Sequence, residues 1–475
     1  MPRNIEPDKT LDYPYILKIS PVILGMIIWI ITHATSAQTL QSQTEPLSLD
    51  LRSAVQLALQ KSPLLSGARA VVKQSESEYL SSISGYLPNI NGTVEQSRQV
   101  INLQSTGITS ALSGSSSSLP SGFPNLSSIK KVGPFNVFDS RVSVDQTILD
   151  LETIYNIRAS RQQVSASQHS YDNIQQIVET NTVSAYIDVL RSDAEVKRTQ
   201  ADLNTAQVLY NLAKDLLKVG IATGLDVTRA QVQLRNAEQA LLEAKNNLEV
   251  TRMFLARTIG ISPSIPLTLK EGLQFEEVIQ KSKEEAMDLA FKIRPDLLAL
   301  KARENEFALR VKSAKAEFFP KLGFHADYGV NGLTPEEAVI PTWIIAGVLK
   351  IPIFNGGRTI ANIQRTKAQL DQIQSQIADL SNQIEFDVGS ALLNLNSAAK
   401  QVGVAKDGVN LAQKSLKLSQ DRFNQGLTNN VEVVNAQDDL ARAEENLIRA
   451  LYKYNLARVS LARAIGDITL VYSLK

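Results

Sequence analysis

The clearest pattern in the sequence is a seam of apolar residues between Val227 and Leu255, in steps of alternately three and four residues. This spacing predicts a long helix that packs on another helix as a coiled coil, and the strict seven-residue period predicts a left-handed supercoil. Alanine alternates with leucine or valine and allows the helix backbones to approach closely. Taken alone, the seam also fits an ordinary soluble coiled coil. It consists of Val227, Ala230, Leu234, Ala237, Leu241, Ala244, Leu248, Thr251 and Leu255.

The same seam occurs a second time, 206 residues later, over Val433–Leu461. The segments 212–260 and 418–466 are identical at 17 of 49 positions without a gap, and both end on Ala-Arg-x-Ile-Gly. A glycine precedes each seam, Gly220 in one copy and Gly426 in the other. We therefore predict an internal duplication with a long helical hairpin in each half.

Two further stretches favour helices of unusual length. Residues 151–219 contain neither glycine nor proline, and no proline follows Pro352 in the second half. A helix over 151–219 would reach about 100 Å, and residues 358–425 are the matching stretch. Shorter amphipathic helices are predicted over 47–62 and 64–83. Helices of this length imply that several of them pack side by side.

A proline closes the short helices in each half, and the hydrophobic period then changes from helical to twofold. This alternation predicts strands with one apolar face, and return strands are expected at about 138–147 and 343–353. Each half then carries one β-hairpin, at about 89–147 and 321–353, so that a chain has four strands. The alternating apolar positions include Ile90, Gly92 and Val94 in the first half, and Leu322, Phe324, Ala326 and Tyr328 in the second.

The two hairpins differ at residues 101–131, which are rich in serine, glycine, leucine and proline and are present in the first half alone. We expect a long exposed or partly disordered loop here. It is either a surface loop beyond a membrane or a tolerated insertion, and we favour the insertion.

The beginning of the chain has the pattern of an export signal. Lys18 precedes an apolar run over 19–31, and small residues near Ala37 offer a cleavage site. The run is shorter than the roughly 20 residues of a transmembrane helix, although an uncleaved anchor is the alternative. The predicted layout is therefore a signal peptide over 1–37, a first repeat over 38–270 and a second repeat over 271–475.

The composition argues against several classes of function. The 49 basic and 48 acidic residues balance, which gives no argument for nucleic-acid binding. The chain has no cysteine, which excludes disulfides, thiolate metal sites and thiol catalysis. His169 and His325 are far apart in sequence and stand in no carboxylate or thiol pattern typical of a catalytic site. We therefore predict no enzyme activity, no cofactor and no metal site.

Four strands with one apolar face cannot close a membrane barrel alone, because an open edge in lipid leaves unpaired backbone groups. Strands contributed by several chains would close it. The sequence here resembles the outer membrane efflux protein family, the TolC-like channels, over residues 47–467. The resemblance rests on the tandem halves, the closing prolines, the glycine-turn phrases 219–227 and 425–433, and the phrase Ile-Phe-Asn-Gly-Gly-Arg at 353–358.

The resemblance implies a mainly α-helical chain with a membrane β-barrel. It implies a homotrimer with a 12-stranded barrel in the outer membrane of a Gram-negative bacterium and an α-helical barrel in the periplasm. The expected function is the exit duct of a tripartite efflux or type I secretion system. Its partners would be outer membrane lipid, a periplasmic adaptor (a membrane fusion protein) and an inner membrane pump. The alternative is a periplasmic coiled-coil adaptor or scaffold outside any membrane, which would lack the two β-hairpins.

In this family the two glycine turns lie at the periplasmic tip, where the adaptor docks. The resemblance therefore assigns docking to Gly220, Ile221, Gly426 and Leu427. A structural role is compatible with docking for the glycines, because helix-ending turns need positive φ. The alternative for Ile221 and Leu427 is that they pack against the turn itself.

The resemblance also places a periplasmic gate at Asp226, Arg229, Glu432 and Asn435. Glu432 falls where the family often carries an acidic ring that selects cations, whereas Asn435 departs from the acid at the next ring position. Thr428 stands where some members have a basic residue that holds the gate shut, and Arg229 is the predicted substitute. The alternative for both carboxylates is a favourable position at the positive end of a helix dipole.

Overall fold

The computed structural model describes residues 47–102, 131–275, 282–338, 340–425, 427–428 and 430–472. The predicted signal peptide lies outside the described residues, as do Gly426 and all of the predicted loop except its end residues. The helices are α1 Leu51–Lys61, α2 Pro63–Ser84, α3 Leu151–Lys218, α4 Gly224–Thr258, α5 Lys283–Ile293, α6 Pro295–Ala316, α7 Arg358–Asn424 and α8 Asn430–Ile465. The strands are β1 Leu47–Leu49, β2 Asn89–Asn102, β3 Lys131–Leu149, β4 Leu267–Leu269, β5 Lys321–Gly332 and β6 Ile340–Lys350.

The two long helices agree with the predictions to within a residue or two at each end. Asp150 caps the start of α3, where its Oδ1 accepts the Glu152 amide at 2.9 Å. Each long helix packs on the seam helix that follows it, α3 on α4 and α7 on α8. The alternating leucines and alanines of α4 are buried as predicted, with Leu255 fully so. In α8 the buried positions include Val433, Ala436, Ala450, Tyr454 and Ala457.

Both seam helices end at a glycine for the same two reasons. Gly260 and Gly466 have φ of +78° and +93°, which side-chain-bearing residues rarely adopt. A Cβ atom on Gly260 would lie 2.9 Å from the Lys61 carbonyl oxygen, and one on Gly466 would lie 3.0 Å from the Arg294 Cα. The end of each long hairpin is therefore pressed against the junction between two short helices.

The predicted helix over 47–62 is wrong at its beginning. Residues 47–49 form β1, which pairs in parallel with β4, a strand that the sequence did not predict. The helix starts after Asp50, whose Oδ1 accepts the Ser53 amide at 2.7 Å. Three residues are too few for a twofold and a helical period to be told apart, and the partner strand is more than 200 residues away in sequence. The described chain thus has six strands rather than four.

The other four strands form one antiparallel sheet in the order β2-β3-β5-β6, as the two predicted hairpins joined side by side. Strand β3 begins earlier than predicted and β6 ends before Pro352, which cannot donate to the ladder. The register places most apolar side chains of β2, β3 and β5 on one face and most of their polar side chains on the other, whereas β6 has apolar residues on both faces, with Ile344 opposite Asp327. One face carries Ile90, Gly92, Val94, Val142, Val144, Phe324, Ala326, Tyr328, Val330, Trp343 and Ile345, and the other carries Asn89, Asn91, Thr93, Glu95, Asp139, Arg141, Ser143, Asp145, His325, Asp327 and Asn331.

The apolar face of this sheet is exposed in the single chain. Val94, Tyr328 and Trp343 are 62–72% exposed, and β2 and β6 are the outer strands of the sheet, each paired on one side among the described residues. Within the described ranges, no helix combines the length and apolar character needed to cross a membrane.

Candidate functional site

The first hairpin tip is a tight helix-ending turn built on Gly220. Gly220 has a φ of +78°, and its amide donates to the Leu217 carbonyl at 3.1 Å. The Ile221 amide donates to the Leu216 carbonyl at 2.8 Å, which completes a Schellman motif. The predicted structural role of Gly220 is confirmed. The Ile221 side chain is 62% exposed and points largely into solvent rather than covering the turn.

The second tip ends its long helix with the same type of hydrogen bond. The Leu427 amide donates to the Arg422 carbonyl at 3.0 Å. The Leu427 side chain is 66% exposed, close to the value for Ile221. The chain therefore presents an exposed branched aliphatic side chain at the equivalent position of both tips.

The Asp226 carboxylate takes part in capping the start of its own helix, α4. Its Oδ2 accepts the Thr223 amide at 2.9 Å and the Thr223 hydroxyl at 2.6 Å, and the Thr223 Oγ1 accepts the Asp226 amide at 3.2 Å. This reciprocal arrangement is a capping box. The Thr223 hydrogen bonds lower the pKa of Asp226, and the charge of Arg229 contributes further. Because the pKa is depressed, the carboxylate stabilises the helix start above about pH 4 and loses this effect as the pH falls.

Glu432 is paired with a residue that the sequence analysis missed. Arg422, at the end of α7, places its Nε 3.2 Å from the Glu432 Oε1 across the turn. Thr428 donates its hydroxyl to the Glu432 Oε2 at 2.5 Å. The pair could have been found from the sequence, because Arg422 and Glu432 stand at comparable distances on opposite sides of Gly426. Thr428 therefore takes part in holding Glu432, although it carries no charge.

The two tips meet along the first turns of α4 and α8. Arg229 is exposed and lines a groove there with Thr228 and Val232 of α4 and with Val431 and Val434 of α8. Asn435 is exposed on α8, one turn beyond Val431. Of the four predicted gate residues, the geometry joins Asp226 with Arg229 electrostatically and places Glu432 in a separate pair with Arg422.

The polar face of the sheet corrects the prediction that His325 has no carboxylate neighbour. The His325 Nδ1 lies 2.7 Å from the Asp145 Oδ1, and its Nε2 lies 3.2 Å from the Asp327 Oδ2. Arg141 adds an ion pair to Asp327 at 3.0 Å and contacts Asp139. His325 and Asp327 are two residues apart on one strand, and Asp145 is directly opposite His325 in register. No group that could hold a metal ion occurs among the residues described.

Comparisons with known proteins were consistent with this architecture. The model of the family "Outer membrane efflux protein" matches residues 54–260 and 286–467. Outer membrane efflux protein BepC of Brucella suis is 26% identical over 69% of this chain and 72% of its own length. Alkaline protease secretion protein AprF of Pseudomonas aeruginosa is 22% identical over 48% of this chain, and the match spans 48% of AprF.

Solved structures share the fold at low identity. The Campylobacter jejuni CmeC outer membrane channel superposes with a TM-score of 0.73 at 18% identity, over 88% of this chain and 86% of CmeC. The likeness therefore extends through both the sheet and the long helices.

Proposed function

Because the chain belongs to the outer membrane efflux protein family, we propose that it is the outer membrane exit duct of a tripartite efflux or type I secretion system. In this function it supplies a passive conduit between periplasm and exterior and performs no chemistry of its own. The names of BepC and AprF connect relatives of this chain with efflux and with protease secretion. The two β-hairpins, which a periplasmic adaptor or scaffold would lack, favour the duct over that alternative.

The observation that carries the proposal is the incomplete sheet. Within the described residues, the long strands β2 and β6 are each paired on one side only, and the apolar face between them is open to solvent in the single chain. Both features are costly in lipid unless the edges pair and the apolar face meets hydrocarbon. A homotrimer satisfies both, with β6 of one chain beside β2 of the next in a 12-stranded barrel. The polar face of the sheet would then line the lumen.

The rest of the chain fits the same arrangement. Helix α3 begins directly after β3, and α7 begins at Arg358, a few residues after β6, so that the two long helices would extend the barrel as an α-helical tube in the periplasm. Residues 1–37 would be the signal peptide for export, followed by repeats over 38–270 and 271–475. We assign no cofactor to the chain.

The proposal predicts the native mass of the protein extracted in detergent from outer membranes. We expect about three times the mass of one processed chain, which is smaller than the 52.1 kDa of the full sequence because the signal peptide is removed. On a gel, heating the sample should dissociate the oligomer. The measurement is mass photometry or light scattering with correction for bound detergent. A monomer in the soluble periplasmic fraction would reject the duct and favour the scaffold.

We infer that the two tips dock a periplasmic adaptor that links the duct to an inner membrane pump. Ile221 and Leu427 are exposed apolar residues of the tips, and each directly follows a glycine in the sequence, Gly220 or Gly426. Burial of such side chains under a partner helix is a common mode of helix recognition. The equivalent exposure of the two side chains supports two similar docking positions in each chain.

Introducing charge at both tips should uncouple the duct from its partners. In cells that carry the cognate pump genes, the double variant Ile221→Glu and Leu427→Glu should lose export while retaining a normal oligomer in the outer membrane. Gln239→Glu, which adds charge at an exposed site on α4, is the matched control and should export normally. Undiminished export by the double variant would exclude docking through these side chains.

We propose that Asp226, Arg229, Glu432 and Asn435 surround the periplasmic gate, with Arg422 as an added member. Glu432→Gln removes a negative charge from each chain and leaves the Arg422 charge uncompensated, so that the cation preference of the pore should fall. Arg422→Gln should raise it. The measurement is the reversal potential in planar bilayers under a salt gradient. Asp439→Asn, an exposed carboxylate on the same helix, is the control, and identical selectivity in all four proteins would remove Glu432 from the gate.

A further inference from the structure

The interface between the two long hairpins, where α3 packs on α8, changes its chemistry along its length. One end is apolar, where Val183 and Ile187 of α3 meet Val459 and Ala462 of α8. The other end is also apolar, where Leu209 meets Val433 and Ala436. Between these ends, α3 presents Asp188, Glu195 and Asp202 at seven-residue spacing, and α8 presents Tyr452, Glu445 and Asp438 with the same spacing in the opposite direction.

Specific contacts hold this polar stretch together. Tyr452 donates its hydroxyl to the Asp188 Oδ1 at 2.8 Å, and the Arg191 guanidinium lies 4.7 Å from the centre of the Tyr452 ring. Arg198 pairs with the Glu195 Oε1 at 2.6 Å and with the Asp202 Oδ2 at 2.5 Å. The Arg198 side chain is only 13% exposed, so these are not ordinary surface ion pairs.

Carboxylates outnumber cations in the half-buried part of the interface, which we call the acid seam: Glu195, Arg198, Asp202, Asp438 and Glu444. The seam thus has four carboxylates and one guanidinium. Glu445 lies nearby on α8 but pairs with Arg449, and the α4 residue that reaches Asp438 is the neutral Gln233, at 3.0 Å. Four partly desolvated carboxylates around one guanidinium repel one another when all are ionised.

The surroundings favour the protonated form of two of these carboxyl groups. Burial raises the pKa of Asp202, and the charges of Glu195 and Asp438 raise it further despite the opposing effect of Arg198. Burial also raises the pKa of Glu444, with a further contribution from Asp202. By contrast, the buried positions of the seams inside each hairpin are mostly leucine, valine and alanine.

We propose that the acid seam is a proton-operated joint between the two hairpins, which packs tightly when Asp202 and Glu444 are protonated and loosens when both are ionised. The hairpins themselves stay intact, because their internal seams are apolar. If the proposed function holds, the joint makes the relative position of the two tips, and hence the gate, sensitive to periplasmic pH.

The direction of the effect follows from linkage. A carboxyl group with a raised pKa in the packed state binds its proton more tightly there than when α3 and α8 separate. Below the ordinary pKa of about 4 both states are protonated, and the packed state carries no penalty. As the pH rises from there through the raised pKa, the separated state ionises first, and the packed state loses stability relative to it. Acid therefore tightens the joint and neutral pH loosens it.

The test uses a thiol buried beside the seam in the full-length protein, which has no native cysteine. Gln437 lies one heptad before Glu444, is 4% exposed, and within the described part of the chain its Oε1 has no hydrogen-bond partner. Gln437→Cys therefore places a reporter in the joint without removing a hydrogen bond. Its maleimide labelling rate is divided by that of an exposed thiol from Gln239→Cys, which corrects for the thiolate fraction at each pH.

We expect the corrected labelling rate to be about tenfold lower at about pH 4, where both groups are protonated whether the joint is packed or open, than at about pH 8. Combining the reporter with Asp202→Asn and Glu444→Gln, which mimic the protonated groups, should give slow labelling at both pH values. Asp193→Asn, which changes a carboxylate of α3 that lies outside the acid seam and pairs with Lys197, should retain the original response.

Several outcomes would overturn the proposal. Equal corrected rates at the two pH values would do so, as would an unchanged pH response in the Asp202→Asn and Glu444→Gln variant. Labelling that responds to added Ca²⁺ or to EDTA instead of pH would indicate a metal bridge and also reject the proton mechanism. Because labelling does not require conduction, a normal pH response in a protein that forms no pore would reject the proposed function alone.

Discussion

Val142→Arg should abolish insertion of the protein into the outer membrane. Val142 lies in the middle of β3 on the apolar face, between Gly92 of β2 and Tyr328 of β5, and is 52% exposed in the single chain. An arginine on the lipid face near the bilayer centre costs about 2–4 kcal/mol. Three chains would each bear this cost in one barrel. The adjacent Gly92 leaves space for the larger side chain, so that the loss would come from the charge rather than from a steric clash.

The measurement is the amount of oligomer in the washed outer membrane fraction, compared with total protein. Ser143→Arg is the matched control, because Ser143 is the next residue on the same strand and faces Asn91 and Asp327 on the polar side. We expect Ser143→Arg to insert normally. Equal insertion of both variants would show that the two faces do not differ in environment and would contradict the membrane barrel.

The sequence alone predicts that Val142 and Ser143 lie on opposite faces of the sheet. It does not predict which residues lie beside them on the neighbouring strands. Alternation along one strand assigns each residue to a face without knowledge of its partner. The pairing of Asp145 with His325 depends on the register between β3 and β5, strands that are separated in sequence by the first helical hairpin, β4, α5 and α6. A shift of two residues would preserve both faces and break that contact, so the hydrophobic pattern does not determine it.

In the helices, too, the sequence predicts the local features but not the contacts between distant segments. The seam of α4 repeats often enough to establish a helix and its buried face, and Gly220 ends the preceding helix through a local φ requirement. The proximity of Asp202 to Asp438 depends instead on how the two hairpins align with each other. Apolar clusters at both ends of α3 and α8 set that alignment, and many registers are compatible with the sequence of either helix alone.

The tips contain an ion pair that the sequence analysis did not find. The resemblance suggested that a missing basic residue at Thr428 would be replaced by Arg229. The structure places Arg422 against Glu432 across the turn and Arg229 in the groove between α4 and α8. A turn that reverses the chain brings residues on its two sides together, and that local geometry was a better guide than proximity in sequence.

Arg294→Ala should strongly destabilise the helical region. Arg294 lies between α5 and α6, with its side chain 9% exposed, and pairs with the Asp296 Oδ2 at 2.7 Å and the Asp387 Oδ2 at 3.0 Å. It therefore connects the short helices to α7. Removing one partner of a buried ion pair costs about 3–5 kcal/mol, because the remaining charge is left uncompensated. The measurement is the free energy of unfolding from denaturant titration followed by circular dichroism, where unfolding is reversible.

Arg442→Ala is the control for loss of an arginine on a helix surface. Arg442 pairs with Asp439, both side chains are at least 60% exposed, and an exposed pair contributes about 0–1 kcal/mol. A similar loss of stability in both variants would contradict the buried network.

The pH dependence separates the loss of charge from the loss of packing. In the native chain, burial opposes ionisation of Asp296, but hydrogen bonding to Arg294 outweighs it and lowers the pKa of Asp296. Asp296 therefore stabilises the fold above about pH 4, and this contribution is lost as the pH falls. Without Arg294, burial dominates and raises the pKa of Asp296, so that protonation of Asp296 reduces the loss of stability in the variant. The difference in unfolding free energy between the native chain and Arg294→Ala should shrink as the pH is lowered from about 7 to about 4. A difference that is constant over this range would assign the effect of Arg294 to the packing of its aliphatic stem rather than to its charge.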